Sequence, residues 1–275
     1  MWSTLAIAAA LQLAPGQTGK LDLVNVRPTY GMLGAPRPSS QILPGDVFWL
    51  AFDIDNIKTD AKGKAVYSMG FEVSDAKGKP LLKEEENKDK PLVADLSLGG
   101  NRLPVFARVE VGLDQPPGEY TMKVSVTDRT AKTSASLERK FQVMPLTLGL
   151  VRLSTSYDAA DPVQGPRYPA PMVAAPGQFL HVNFVAVGFE RDKAKKQPNM
   201  QVELNVLDEK GKPVRDKPDM GQVTEADEKA RAMPMRFALA LNRPGRYTVE
   251  LKTTDMVTKK TSTLKFPLTV VSIEK

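Results

Sequence analysis

The chain has 275 residues, 25% of them charged and 41% hydrophobic, with a formal net charge of +6. It has no cysteine and one histidine, His181, which removes disulfides, zinc–thiolate and iron–sulfur centres, cysteine nucleophiles and histidine-rich metal sites together. The basic surplus is not a nucleic-acid signature. Lys and Arg alternate with acids, as in Lys83-Glu84-Glu85-Glu86-Asn87-Lys88-Asp89-Lys90, and no aromatic residues are interleaved to stack bases.

Residues 1–19 read as a leader. No charge occurs before Lys20, and the apolar run Leu5 to Ala14 is far shorter than the roughly 20 residues a membrane-spanning helix needs. It has the character of the apolar region of an export signal, without a basic segment before it and with Pro15 after Ala14 where a small residue would favour cleavage. The expectation is an extracytoplasmic protein, periplasmic, surface-bound or secreted, with no membrane span. Gly16-Gln17-Thr18-Gly19-Lys20 is not a phosphate loop, because the glycine spacing is wrong and Leu21 stands where a hydroxyl is required.

From residue 20 the chain repeats itself. Leu23-Val24-Asn25-Val26 lies over Leu150-Val151-Arg152-Leu153, Pro44-Gly45 over Pro176-Gly177, and Asp75-Ala76-Lys77-Gly78-Lys79-Pro80 over Asp208-Glu209-Lys210-Gly211-Lys212-Pro213. Pro117-Gly118-Glu119-Tyr120-Thr121 lies over Pro244-Gly245-Arg246-Tyr247-Thr248, and Thr127-Asp128 over Thr254-Asp255, the offsets staying between 127 and 133 residues. Blocks in one order at a near-constant offset mean a tandem duplication. The two copies are 20–144 and 145–275, joined at Met144-Pro145.

Each copy reads as strands. In the first, Phe48, Leu50, Phe52 and Ile54 alternate with their neighbours, then Tyr67 to Val73, then Val105 to Val111. In the second, Leu180, Val182, Phe184 and Ala186 match the first set, Met200 to Val206 the second, and Met235 to Leu241 the third. Period-two alternation marks strands buried on one face, and the Asp-, Gly- and Pro-rich segments between them are turns. The predicted fold class is all-β, two tandem sandwiches with Phe52 and Phe184 turned inward. The segment Thr224 to Met233 alone suggests a helical turn or two. Pro267 points to an edge or bulge in the last strand.

These motifs carry a family resemblance. Pro-Gly opening a strand, a second strand ending in Val-x-Asp-x-x-Gly-Lys-Pro, and a later Pro-Gly-x-Tyr-Thr resemble the immunoglobulin-like modules of bacterial macroglobulins and surface proteins. The resemblance implies an immunoglobulin-like sandwich in each copy, with Tyr120 and Tyr247 as tyrosine corners. Macroglobulins proper use a thioester cysteine, which this chain lacks, so that chemistry is not implied.

Candidate sites are few. Asp53, Asp55 and Asp60 gather oxygen ligands near one strand end, a weak calcium pattern whose counterpart in the second copy begins with Val185 and Val187. Trp49, on the outward parity, is a sugar-stacking candidate. His181 matches Trp49 in the second copy and is expected to be exposed, with no Gly-x-Ser-x-Gly elbow to serve. The proline-rich loops Gly31 to Leu43 and Asp158 to Ala175 each keep a Pro-Arg, making Arg37, Arg167 and Tyr168 candidates for a contact surface. No cofactor or nucleophile constellation is present. The expected function is a non-catalytic, exported structural or binding protein whose partner is another protein or an envelope component. A carbohydrate-binding accessory module is the alternative.

Overall fold

A computed structural model describes residues 19–86, 89–157, 168–170 and 172–272. The expected leader, all but its last residue, and Arg167 lie outside them. The described chain is all-β. The strands are β1 (Asp22–Thr29), β2 (Gln41–Ile42), β3 (Val47–Asp55), β4 (Lys64–Asp75), β5 (Pro80–Glu84), β6 (Leu92–Asp95), β7 (Leu103–Glu110), β8 (Gly118–Asp128) and β9 (Thr133–Val143). There follow β10 (Gly149–Tyr157), β11 (Tyr168–Ala170), β12 (Val173–Ala174), β13 (Phe179–Val187), β14 (Met200–Leu207), β15 (Asp219–Val223), β16 (Ala232–Ala240), β17 (Gly245–Asp255) and β18 (Thr261–Val270).

They form four sheets in two facing pairs. In the N-terminal half, β1-β3-β7 faces β2-β9-β8-β4-β5, with β6 also on β4. In the C-terminal half, β11-β10-β13-β16 faces β12-β18-β17-β14-β15. The correspondence extends to detail: short β2 runs parallel to β9, and short β12 parallel to β18, while the other pairings are antiparallel. The alternation read from the sequence lines two cores. Phe48, Leu50, Phe52 and Ile54 pack with Met122, Val124 and Val126 in one. Leu180, Val182, Phe184 and Ala186 pack with Val202, Leu204 and Leu251 in the other. Phe52 and Phe184 are both buried.

Two repeated devices hold the sandwiches. Asp128 and Asp255, ending β8 and β17, are fully buried carboxylates. Asp128 accepts backbone N–H groups of Lys58, Thr130 and Ala131 at 2.7–2.9 Å, tying the β8–β9 turn to the loop after β3. Asp255 accepts from Glu190 N at 3.0 Å, Val257 N at 2.9 Å and the Thr258 hydroxyl at 2.9 Å, making the same tie in the other half. A β-bulge interrupts β1 between Val24 and Arg27 and β10 between Val151 and Ser154. It places Asn25 and Arg152, at matching repeat positions, both at φ 53°, in the left-handed region that only Gly enters cheaply.

Two expectations need correction. Thr224 to Met233 holds no helix. Arg191 donates to the carbonyls of Asp227 and Ala230, and Gln197 accepts from Ala226 N, so this connection is pinned to the loop after β13 and its last residues enter β16. His181 is buried, not exposed, at 8%. It lies on a central strand, between β10 and β16, opposite the equally buried Ser156, and the outer face of a central strand is flanked by neighbours on both sides. Pro267 meets the edge expectation: it pairs with Thr248 on β17, whereas β12 joins β18 only from Thr269.

Candidate functional site: the junction and the open end

The two halves are joined by more than chain continuity. At the end of β1, Thr29 bridges to Pro36 and Tyr30 N donates to Ala35 O at 2.9 Å, closing the Gly31 to Ala35 segment into a compact loop. Tyr30 and Ala35 pack into the core of the C-terminal half, and the Tyr30 hydroxyl reaches Lys265 O at 3.4 Å. Burial raises the Tyr30 phenol pKa, against a smaller lowering from Arg37. The Arg37 guanidinium lies 5.1 Å over the Tyr30 ring and donates to Asp46 Oδ2 at 2.9 Å.

Asp46 is the pivot. It is 4% exposed, and its Oδ1 accepts both Val47 N and, from the other half, Arg152 N, each at 2.8 Å. The left-handed turn of the β10 bulge occurs at the residue whose amide Asp46 receives. Arg152 returns a bond from Nε to Gly45 O at 2.8 Å and faces Glu110 at 3.4 Å. Packing is close at this point: a Cβ on Gly149 would stand 2.2 Å from Leu43 Cδ1, so any larger residue there requires the Leu43 side chain to move. Arg231 and Asp114 add an exposed ion pair across the seam at 2.8 Å. The crevice left between these groups holds about 10 Å³, room for no more than a water.

The sequence candidates are dispersed by this geometry. Arg37 is in the junction. Trp49 is half-buried on its outer sheet face and also lines that crevice, with Phe106 at 5.3 Å tilted by 55° and the Arg108 guanidinium 5.5 Å over its ring. Tyr168 opens β11 opposite Tyr157. Asp53 accepts from the Asn25 amide at 2.7 Å, Asp55 pairs with Arg102 at 3.0 Å, and Asp60 accepts Lys62 N and Lys64 N within its own turn. Those turn bonds hold the Asp60 carboxyl below its usual pKa. Among the described residues no three His, Cys, Asp or Glu side chains gather to hold a metal.

Sequence reasoning missed the second feature. The far end of the C-terminal sandwich opens between its sheets into a cleft of about 500 Å³, walled by Val206, Phe237, Leu239, Leu241, Tyr247 and Leu268. Arg215, paired with Asp219, and Arg243 stand on its rim. The Arg243 Nε donates to the Tyr247 hydroxyl at 3.2 Å. The signal was present in the repeat alignment: Phe48 and Phe141 of the first copy correspond to Leu180 and Leu268 of the second.

No family model matches the chain, and no curated protein matches it. Solved structures resemble it distantly, each at 9% identity. Dimeric latent PorU from Porphyromonas gingivalis aligns over 97% of this chain and 21% of its own at TM-score 0.35. A calcium-binding mutant of β-glucuronidase 2 from Bacteroides uniformis aligns over 82% and 26% at 0.36. Red sea bream transglutaminase aligns over 92% and 31% at 0.26. The chain thus spans between a fifth and a third of each of these proteins. Among the described residues no helix is long and apolar enough to cross a membrane.

Proposed function

We propose that the chain is a non-catalytic binding scaffold of two immunoglobulin-like modules, 20–144 and 145–275, exported from the cytoplasm and presenting its surface to another protein or an envelope component. The immunoglobulin-like reading is supported by a sheet of three or four strands facing a larger one in which the penultimate strand lies between the last strand and β4 or β14, and by a short strand parallel to the final one. It is supported too by the tyrosines: the Tyr120 hydroxyl donates to Pro116 O at 2.7 Å, and the Tyr247 hydroxyl lies 3.2 Å from both Arg243 O and Pro244 O, a few residues upstream in each case.

The observation that carries the scaffold reading is the Asp46–Arg37–Arg152 junction, which fixes the spacing of the exposed loops of both halves. Direct strand addition is disfavoured at the outer edges of β7 and β16, each of which carries a proline, Pro104 and Pro234. Recognition is therefore assigned to loops and sandwich ends. Sugar stacking at Trp49 is the weaker alternative, because Arg108 already lies over its ring. The test is NMR relaxation on the full chain together with an unbiased activity screen. One rotational correlation time for both halves and no turnover above blank are expected. Independent tumbling, or robust turnover, overturns the reading.

A further inference from the structure

The cleft of the C-terminal sandwich has a counterpart that is filled. In the N-terminal half the corresponding inter-sheet space holds a stack: Phe48 and Phe141 with ring centroids 4.5 Å apart, and Phe141 with Tyr120 at 5.6 Å. The registers place Leu180 at the Phe48 position and Leu268 at the Phe141 position, since Phe48 pairs with Val109 as Leu180 pairs with Leu239, and Tyr120 with Phe141 as Tyr247 with Leu268. Both positions carry leucine while the backbone frame is kept; Leu268 lines the cleft, whereas Leu180 is fully buried and stays outside its lining. The walls have not collapsed to compensate. Val73 and Tyr120 are buried, whereas their counterparts Val206 and Tyr247 are half-exposed toward the cleft.

Interiors are close-packed, so an apolar space of this size beside a hydrogen-bonded tyrosine is a site for a ring. The rim adds a sign. Arg215 is neutralised by both oxygens of Asp219, whereas Arg243 has no carboxylate within ion-pairing distance among the described residues. Its partner is the Tyr247 hydroxyl, and the nearby Asp208 spends one carboxylate oxygen on the amides of Lys210 and Lys212 in its own turn. The cleft mouth therefore carries one guanidinium with no carboxylate paired directly to it, Asp208 acting on it only from a longer range.

The geometry points to a small-molecule site for an aryl carboxylate: a single aromatic ring seated against Leu268, where the first copy keeps Phe141, with an acid on a short chain meeting Arg243. The ring replaces missing packing, and the carboxylate takes the guanidinium donors that Tyr247 leaves free. This goes beyond the scaffold reading and does not depend on it, since the cleft belongs to one sandwich only.

The probe is 3-phenylpropionate, titrated into the full chain and followed by protein-observed NMR, with 3-phenylpropanamide and propionate as comparators. Binding of the acid saturates with Kd on the order of 1 mM, as ligand-efficiency limits allow for so few atoms. The amide binds about 5-fold weaker or less well still, and propionate does not saturate. Leu268→Phe, which restores the ring, weakens phenylpropionate at least about 10-fold while raising Tm. Val206→Phe at the half-exposed wall serves the same purpose should the first variant fail to fold. Arg243→Gln abolishes the preference for acid over amide while leaving amide binding in place. Absence of saturation by the acid up to about 20 mM, equal affinity for acid and amide, or undiminished binding in the filled variant overturns the proposal.

Discussion

At the end of the N-terminal sandwich nearest the C-terminal half, Phe48, Phe141 and Tyr120 stack and the space between the sheets is closed. At the same end of the C-terminal sandwich, Leu180, Leu268 and Tyr247 occupy those positions and the sheets part around a cleft. The outer surface follows the same division. Val47, beside the junction, is buried, whereas its counterpart Phe179 is 59% exposed. Asp46, locked by Arg37 and Arg152, has Gln178 as its counterpart, whose Oε1 accepts the local Ala175 N at 2.8 Å. The repeated frame thus has an end that docks and an end left open, set by side-chain changes while the main strands keep their order, β1-β3-β7 with β2-β9-β8-β4 matching β10-β13-β16 with β12-β18-β17-β14.

What the halves still share should be the costliest to remove. Asp128→Ala leaves three amides without their acceptor, and Asp255→Ala leaves the Glu190 and Val257 amides and the Thr258 hydroxyl without theirs in the other copy. Buried donors without partners cost about 1–3 kcal/mol each, so either variant is expected to lose about 3–5 kcal/mol in urea unfolding, and by similar amounts in the two halves. A difference of more than about 2 kcal/mol between them would break the equivalence of the two frames.

The docked end comes next. Asp46→Ala strands Arg37 and opens the Arg152 amide, at a cost of about 2–3 kcal/mol, below the figure for a fully buried pair because Arg37 keeps 12% exposure. Separate correlation times for the two halves should appear in NMR relaxation, and persistence of a single one would show that Tyr30 and Ala35 alone secure the junction. The open end is probed by making the first copy resemble the second. Phe141→Leu is expected to cost roughly 1–2 kcal/mol and to open the N-terminal sandwich to small aromatic probes. An unchanged urea midpoint would mean that the ring stack is not what closes that end.

Much of this frame was legible in the sequence, and the reasons are local. Period-two alternation is set by the strand itself, so Phe52 and Phe184 could be turned inward on pattern alone. The Asp-x-Lys-Gly-Lys turns could be read because one carboxylate oxygen takes the amides two and four residues on, as Asp75 does with Lys77 and Lys79, while Gly78 supplies φ 77°. The roles of Arg37, Trp49 and His181 were not legible, because each depends on what another sheet or the other half lays over it. Arg37 looked like a loop side chain free for a partner, and its partner is Asp46 nine residues on, folded beneath the second sandwich. The cleft lay in between: the two Phe-to-Leu exchanges are visible in the aligned repeats, but without register nothing says that they face each other.

The smallest effect concerns those same turns. Backbone amides hold the carboxyls of Asp60, Asp192 and Asp208 below the ordinary carboxylate range, and Arg231 does the same for Asp114 across the seam. A folded-state pKa below that of the unfolded chain, about 3.9, means that the folded state holds fewer protons. The contribution is therefore complete above that value and is lost as pH falls through it toward the folded pKa. All four groups are solvent-exposed, so each slope is shallow. Two of the three turn carboxylates, Asp192 and Asp208, lie in the C-terminal half, which should accordingly lose more between pH 6 and pH 3. In a Trp2→Phe background, Trp49 fluorescence reports the N-terminal half and far-UV circular dichroism the whole chain, so the circular dichroism midpoint should move further than the fluorescence midpoint. Asn accepts the same amide bonds without titrating, so Asp192→Asn with Asp208→Asn should bring the two shifts together, and a gap that survives the double substitution would place the acid sensitivity elsewhere.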